Sequence, residues 1–82
     1  MTEYRVVYQY NKDHWTVIRR FHNIEELLAY ILANKIELAE AIEQPDQCLY
    51  ITQHCMGYHI ASWRGDNISM LLRFFKHGIA WV

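Results

Sequence analysis

Proline, glycine and cysteine are all scarce in this chain of 82 residues, which holds one proline, three glycines and two cysteines. That scarcity, with 52% hydrophobic residues and a formal net charge of −1, excludes an intrinsically disordered protein. No apolar run approaches the roughly 20 residues that a membrane-spanning helix requires. The composition therefore predicts one compact domain over residues 1–82 that does not bind a membrane.

Recognisable catalytic and cofactor motifs are also missing. The sequence contains neither C-x-x-C nor H-E-x-x-H, and Ser62 and Ser69 lack the glycine-flanked pattern of a serine nucleophile. Cys55 follows His54 directly, but neighbouring residues of a strand point to opposite faces and cannot share a proton. We therefore expect no enzymatic activity and no cofactor.

Charge is unevenly distributed along the chain. Residues 1–22 hold four basic and two acidic residues. Residues 23–46 hold one basic and six acidic residues, and residues 47–82 hold three basic residues and one acidic residue. This dipolar pattern is not the strongly basic signature of a duplex DNA binder. The chain starts without a secretory leader, and the odd spacing of Cys48 and Cys55 in one strand would prevent a disulfide between them. These features predict a cytoplasmic protein.

Two alternating segments rich in aromatic and β-branched residues, 2–10 and 14–21, predict a β-hairpin. Pairing Tyr10 with Trp15 fixes which side chains share a face. The face that we expect to be buried carries Tyr4, Val6, Tyr8, Tyr10, Trp15, Val17, Arg19 and Phe21. The face that we expect to meet solvent carries Glu3, Arg5, Val7, Gln9, His14, Thr16, Ile18, Arg20 and His22.

One long helix is predicted over about 24–43 from the helical spacing of its apolar residues. The side chain of Asn23 can cap its first turn, and Pro45 closes it. Lys35 lies within the apolar stripe, so either its stem is buried with the charge reaching solvent, or the helix bends or breaks near Asn34.

The rest of the chain predicts a second hairpin of strands 48–54 and 58–63, a short helix over about 67–77 that Gly78 stops, and a closing strand over 79–82. The resulting order is ββαββαβ. We expect an α+β fold, in which a mostly antiparallel sheet is packed on one face by the long and the short helix.

Alternation within the second hairpin places its less apolar side chains outward. Leu49, Ile51, Cys55, Tyr58 and Ile60 point inward, and the outward set is Cys48, Tyr50, Thr52, His54, His59, Ala61 and Trp63. His54 and His59 then face each other across the hairpin, with their Cβ atoms about 5 Å apart. Two imidazoles can hold a metal, but zinc takes three or four protein ligands. The pattern therefore favours two solvent-facing histidines over a metal site.

The outer sheet face also predicts a basic and aromatic surface. Arg5 and Arg20 face each other there, which is unfavourable unless Glu3 or a phosphate lies between them. Tyr50 and Trp63 form a predicted cross-strand pair on the same face. Such a surface could bind single-stranded nucleic acid, or it is ordinary sheet surface with Glu3 as the counter-ion.

Two further surfaces point to proteins as partners. Met70 and Phe74 lie at i and i+4 on the outer side of the second helix, and both residue types are enriched at interface centres. Self-association through them is the most direct expectation. The long helix also presents an acidic face, which is either solvated or able to meet a basic groove on a larger protein. That face carries Glu26, Glu37 and Glu40.

We therefore expect a small regulatory or inhibitor-type protein that binds a protein partner and forms a homodimer. The residues expected at its contacts are Met70, Phe74, Arg5, Arg20, Tyr50 and Trp63. The alternative is a single-stranded nucleic-acid binder using the same sheet face. Metal binding through His54 and His59 is a weaker alternative.

Overall fold

The computed structural model describes residues 2–79 of the chain. Within these residues, four antiparallel strands form one sheet in the order β2-β1-β3-β4, and three helices accompany it. The strands are β1 (Thr2–Asn11), β2 (His14–Phe21), β3 (Cys48–Cys55) and β4 (Tyr58–Arg64). The helices are α1 (Ile24–Ala33), α2 (Lys35–Ala41) and α3 (Ile68–Ile79).

The predicted α+β fold with helices on the sheet is confirmed, and so are both hairpins. The second hairpin turns through Met56 and Gly57, which have φ angles of 53° and 85°. Two successive positive φ values give a turn whose twist matches that of the flanking strands. No helix within residues 2–79 is long and apolar enough to cross a membrane.

The predicted long helix is divided in two at Asn34. The Asn34 backbone N–H and its side-chain Nδ2 both donate to the Tyr30 carbonyl, at 3.0 and 2.8 Å. A side-chain amide that competes for a helical carbonyl favours a helix end over a helix interior. Asn34 has φ −113°, so the break does not use the left-handed conformation. The Asn23 cap is confirmed, since its Oδ1 accepts from the backbone N–H groups of Glu25 and Glu26.

Helix α3 continues past its predicted stop at Gly78 and ends at Ile79. A β-carbon at Gly78 would overlap the indole ring of Trp63. Close packing of α3 on β4 therefore requires this glycine, and helix termination does not. Residues 80–82 of the predicted closing strand lie outside the described residues.

The core lies between one face of the sheet and the three helices. Phe75 is fully buried at its centre. Its ring centroid lies 5.9 Å from that of Tyr4 and 4.9 Å from that of Trp63, nearly perpendicular to both. Such edge-to-face contacts add to the hydrophobic gain from burial. The buried cluster comprises Tyr4, Val6, Phe21, Leu27, Ile31, Leu38, Leu49, Ile51, Ile68, Leu71, Leu72 and Phe75.

Each outer strand of the sheet contains a one-residue bulge. In β2, Arg19 pairs with Val6 and Val17 pairs with Val7, so Ile18 has no partner. In β4, Ala61 pairs with Gln53 and His59 with His54, so Ile60 has none. Because the faces of a strand alternate with a period of two, one extra residue exchanges the faces beyond it.

A third bulge lies in β1, because Gln9 pairs with Trp15 and Asn11 with His14, which leaves Tyr10 without a partner. The predicted pairing of Tyr10 with Trp15 is therefore wrong.

These bulges overturn part of the predicted face assignment. Trp15 pairs with Gln9, and Val17 pairs with Val7. Both therefore lie on the face away from the helices, although we expected them in the core. Trp63 was expected to lie outward beside Tyr50, but it packs on Phe75 in the core. Ile60 was expected inward, but its side chain is 56% exposed.

Candidate functional site

No helix within the described part of the chain packs on the second face of the sheet, which we call the open face. Strands β1 and β3 form its centre, and β2 and β4 form its margins. The register places Glu3, Arg5, Val7, Gln9, Trp15, Val17, Arg20, Tyr50, Thr52, His54, His59, Ser62 and Arg64 on the open face.

A shallow groove of about 390 Å³ runs across the middle of the open face, lined by Val7, Trp15 and Tyr50 among others. Val7 is only 9% exposed, yet it does not belong to the core beneath the helices. Its neighbours on the open face therefore bury it. Trp15 beside it is 65% exposed. An apolar floor next to an uncovered indole is typical of the centre of a binding surface.

Glu3 joins the two arginines that face each other at one end of the open face. Arg5 pairs with Arg20 across β1 and β2, as predicted. The Glu3 Oε1 atom lies 2.5 Å from Arg5 Nε and 3.7 Å from Arg20 Nε. The hydrogen bond from Arg5 and the positive charges of both arginines hold the pKa of Glu3 below its ordinary value. The carboxylate thus offsets part of the repulsion between the arginines.

Replacing Glu3 with glutamine is expected to lower the free energy of unfolding at pH 7 by up to about 1 kcal/mol, the range for partly exposed ion pairs. Because folding lowers the pKa of Glu3, the wild-type advantage is complete above about pH 4.3, an ordinary glutamate value. It is lost as pH falls through the lowered pKa of the folded state. Urea unfolding between pH 2 and pH 7 measures the difference.

Glu43→Gln serves as the control for this prediction, because Glu43 is exposed and forms no ion pair within residues 2–79. It is expected to change the free energy of unfolding by less than about 0.5 kcal/mol at any pH. A Glu3→Gln deficit that persists unchanged at pH 2 would contradict the ion-pair explanation.

His54 and His59 stack across β3 and β4, with ring centroids 5.1 Å apart. His54 Nε2 lies 2.9 Å from Thr52 Oγ1, and His59 Nε2 lies 3.1 Å from the Ala61 carbonyl oxygen. Burial, with the charges of Arg5 and His59, lowers the pKa of His54. Within residues 2–79, no group of three or more His, Cys, Asp or Glu side chains is arranged to hold a metal. The pair alone offers two ligands.

Tyr50 lies on the open face as predicted, but its neighbour on β4 is Arg64. The Arg64 guanidinium carbon is 5.9 Å from the centroid of the Tyr50 ring, within the range of a cation–π contact. Burial, with the neighbouring Cys48 thiol as a smaller cause, raises the pKa of Tyr50. Arg64 therefore occupies part of the ring that was expected to stack on a base.

The remaining candidate residues lie on the helical side of the molecule. Phe74 is 42% exposed and Met70 is half-buried. The predicted acidic face is exposed as well, at Glu26, Glu37 and Glu40. The structure thus brings Arg5, Arg20 and Tyr50 together on the open face and leaves the others on the opposite side.

Trp15 is the exposed aromatic residue of the open face that the sequence analysis placed in the core. Its position depends on the bulges at Tyr10 and Ile18 to either side of its pairing with Gln9, and nothing in the local alternation of β1 or β2 marks them. The only sequence signal was its residue type, because tryptophan is enriched among residues that dominate binding energy. Comparison of the chain with known protein families, with curated proteins and with solved structures finds no match.

Proposed function

We propose that this protein is a small non-catalytic regulator or inhibitor that binds another protein through its open face. The observation that carries the proposal is the uncovered Trp15 beside the apolar groove floor at Val7. Burying an exposed tryptophan and the surrounding groove in a contact removes apolar surface from water. In this role the protein acts by occupying a surface of its partner.

A protein partner is favoured over single-stranded nucleic acid by the charges and rings of the open face. Glu3 already neutralises Arg5 and Arg20 in part, which reduces their attraction for phosphate. Binding of single strands depends on a basic groove and on free aromatic faces. Arg64 lies over Tyr50, and Trp63 is packed into the core. Trp15 is then the main ring left for stacking.

Trp15→Ser tests this proposal in an affinity capture from extracts of the native host. Tyr58→Ser is the matched control, because Tyr58 is 78% exposed and lies at the tip of the β3–β4 hairpin, away from the groove. We expect wild type and Tyr58→Ser to retain the same protein after nuclease treatment. Trp15→Ser is expected to lose at least about 2 kcal/mol of binding free energy, or roughly 30-fold in affinity.

Two results would contradict the proposal. If nuclease treatment releases whatever wild type captures, the open face binds nucleic acid, and the affinity should then fall steeply with salt. If Trp15→Ser captures the same protein as wild type, the open face is not the binding surface.

A further inference from the structure

The helical side of the molecule separates opposite charges onto neighbouring helices. Helices α1 and α2, with the segment just after them, expose acidic side chains against a single lysine, Lys35. Helix α3 contains no acidic residue and exposes basic ones. Within residues 2–79, seven of these exposed charged residues on the helices and just after α2 form no ion pair. They are Glu25, Glu26, Glu37, Glu40 and Glu43 on the acidic side, and Arg73 and Lys76 on α3.

Exposed apolar side chains accompany both kinds of charge. Leu32 on α1 is 55% exposed and Ile36 on α2 is 73% exposed, while Phe74 on α3 is 42% exposed. Tyr30 of α1 packs against β2, where its ring contacts that of Phe21. Because two residues along a helix turn through about 200°, Leu32 lies on the other side of α1, away from that strand.

We propose that two copies of this chain associate through their helical sides about a two-fold axis, with α3 of each copy lying on α1 and α2 of the other. A two-fold axis repeats every contact, so α3 of each copy packs on the acidic helices of the other. The pairing also covers Phe74 of one copy with Leu32 and Ile36 of the second. No like-charged helices then face each other.

The contact is independent of the protein-binding role of the open face, because the two surfaces lie on opposite sides of the sheet. A stable contact of ordinary size needs about 800 Å² from each copy. Each chain exposes 5644 Å², so one such contact leaves the open face available for a different protein.

Exchange of charges between two variants tests the arrangement directly. Arg73→Glu/Lys76→Glu replaces the basic charges of α3 with acidic ones, and Glu37→Lys/Glu40→Lys replaces the acidic charges of α2 with basic ones. We expect wild type to sediment as a dimer at tens of micromolar, with a dissociation constant that rises as salt increases. Each variant alone is expected to sediment as a monomer, with dimerisation weakened at least tenfold. An equimolar mixture should form a heterodimer, because opposite charges then meet at both contacts.

All four substituted side chains are exposed, and circular dichroism checks that each variant keeps the fold. A second pair of variants tests the apolar part of the contact: Phe74→Glu is expected to be monomeric, and Tyr58→Glu to dimerise like wild type. Wild type that remains a monomer at 100 μM would overturn the proposal. A wild-type dimer that both charge variants retain would overturn it equally, by placing self-association on another surface.

Discussion

Phe75→Ala is expected to lower the free energy of unfolding by about 4 kcal/mol, in the range measured for buried phenylalanine. The Phe75 side chain is fully buried, and Tyr4 and Trp63 both place their rings nearly perpendicular to it. Its removal leaves a cavity at the point where α3 meets β1 and β4. Since a domain of this size is stable by only about 4–12 kcal/mol, the loss removes a large part of the total.

Urea unfolding followed by circular dichroism measures this loss, and the neighbouring Phe74 provides a matched control. Phe74→Ala removes the same atoms from a side chain that is 42% exposed. Measured at a protein concentration low enough to keep the chain monomeric, it is expected to cost less than about 1 kcal/mol. Equal losses in the two variants would show that α3 does not present Phe75 to the sheet.

Gly65→Ala is expected to lower the free energy of unfolding by about 3 kcal/mol, at the upper end of the usual cost of overpacking. Gly65 is buried between β4 and α3. A β-carbon there would overlap backbone atoms of Leu71 and Met70. Backbone atoms cannot move aside by changing a rotamer, so α3 must shift away from the sheet to accept the methyl group.

Gly57→Ala is the control for the Gly65 prediction, because the two glycines have opposite surroundings. A β-carbon at Gly57 meets no atom within 4 Å, but its φ angle of 85° is unfavourable for alanine. The expected cost is about 1 kcal/mol, and the midpoint of thermal unfolding should fall less than in Gly65→Ala. A Gly65→Ala variant as stable as wild type would contradict the close approach of α3 to residue 65.

The two hairpins, the approximate positions of the helices along the chain and the Asn23 cap could be predicted because each depends on local chemistry. The pairing of β1 with β3, which joins the hairpins into one sheet, does not. Alternation predicts strands, and an asparagine ahead of a helical apolar pattern predicts its start. The division of the long helix had a signal too, since Lys35 interrupts the apolar stripe next to Asn34. What local pattern could not decide was whether the helix would bend there or end.

The open face could be predicted only in part, because the bulges at Tyr10, Ile18 and Ile60 leave no mark on alternation. Counting from the turn of each hairpin gives one face for every strand residue, and an extra residue reverses the result beyond it. Counted from the turns, the bulge at Tyr10 changes the partner and the face of Trp15, and the bulge at Ile60 changes the face of Trp63. Arg5 and Tyr50 keep their expected faces, and so does Arg20, because the bulge at Ile18 cancels the exchange that the bulge at Tyr10 introduces.

The bulges at Ile18 and Ile60 lie in outer strands of the sheet, which gives them a physical role beyond the exchange of faces. An outer strand presents unpaired backbone groups to which another strand can bind, and bulges interrupt that row. The bulges in β2 and β4 therefore disfavour association through the strand edges. That leaves the open face and the helical side as the surfaces for binding.

The most direct test of the open face as the protein-binding surface is site-specific photo-cross-linking. Benzoylphenylalanine is introduced in place of Trp15 in one preparation and of Tyr58 in another, and each is irradiated in nuclease-treated extract of the native host. We expect a protein adduct from position 15 that position 58 does not form, and that an excess of unlabelled wild type suppresses while Trp15→Ser does not. Adducts of equal yield from both positions, or none at position 15, would contradict protein binding at the open face.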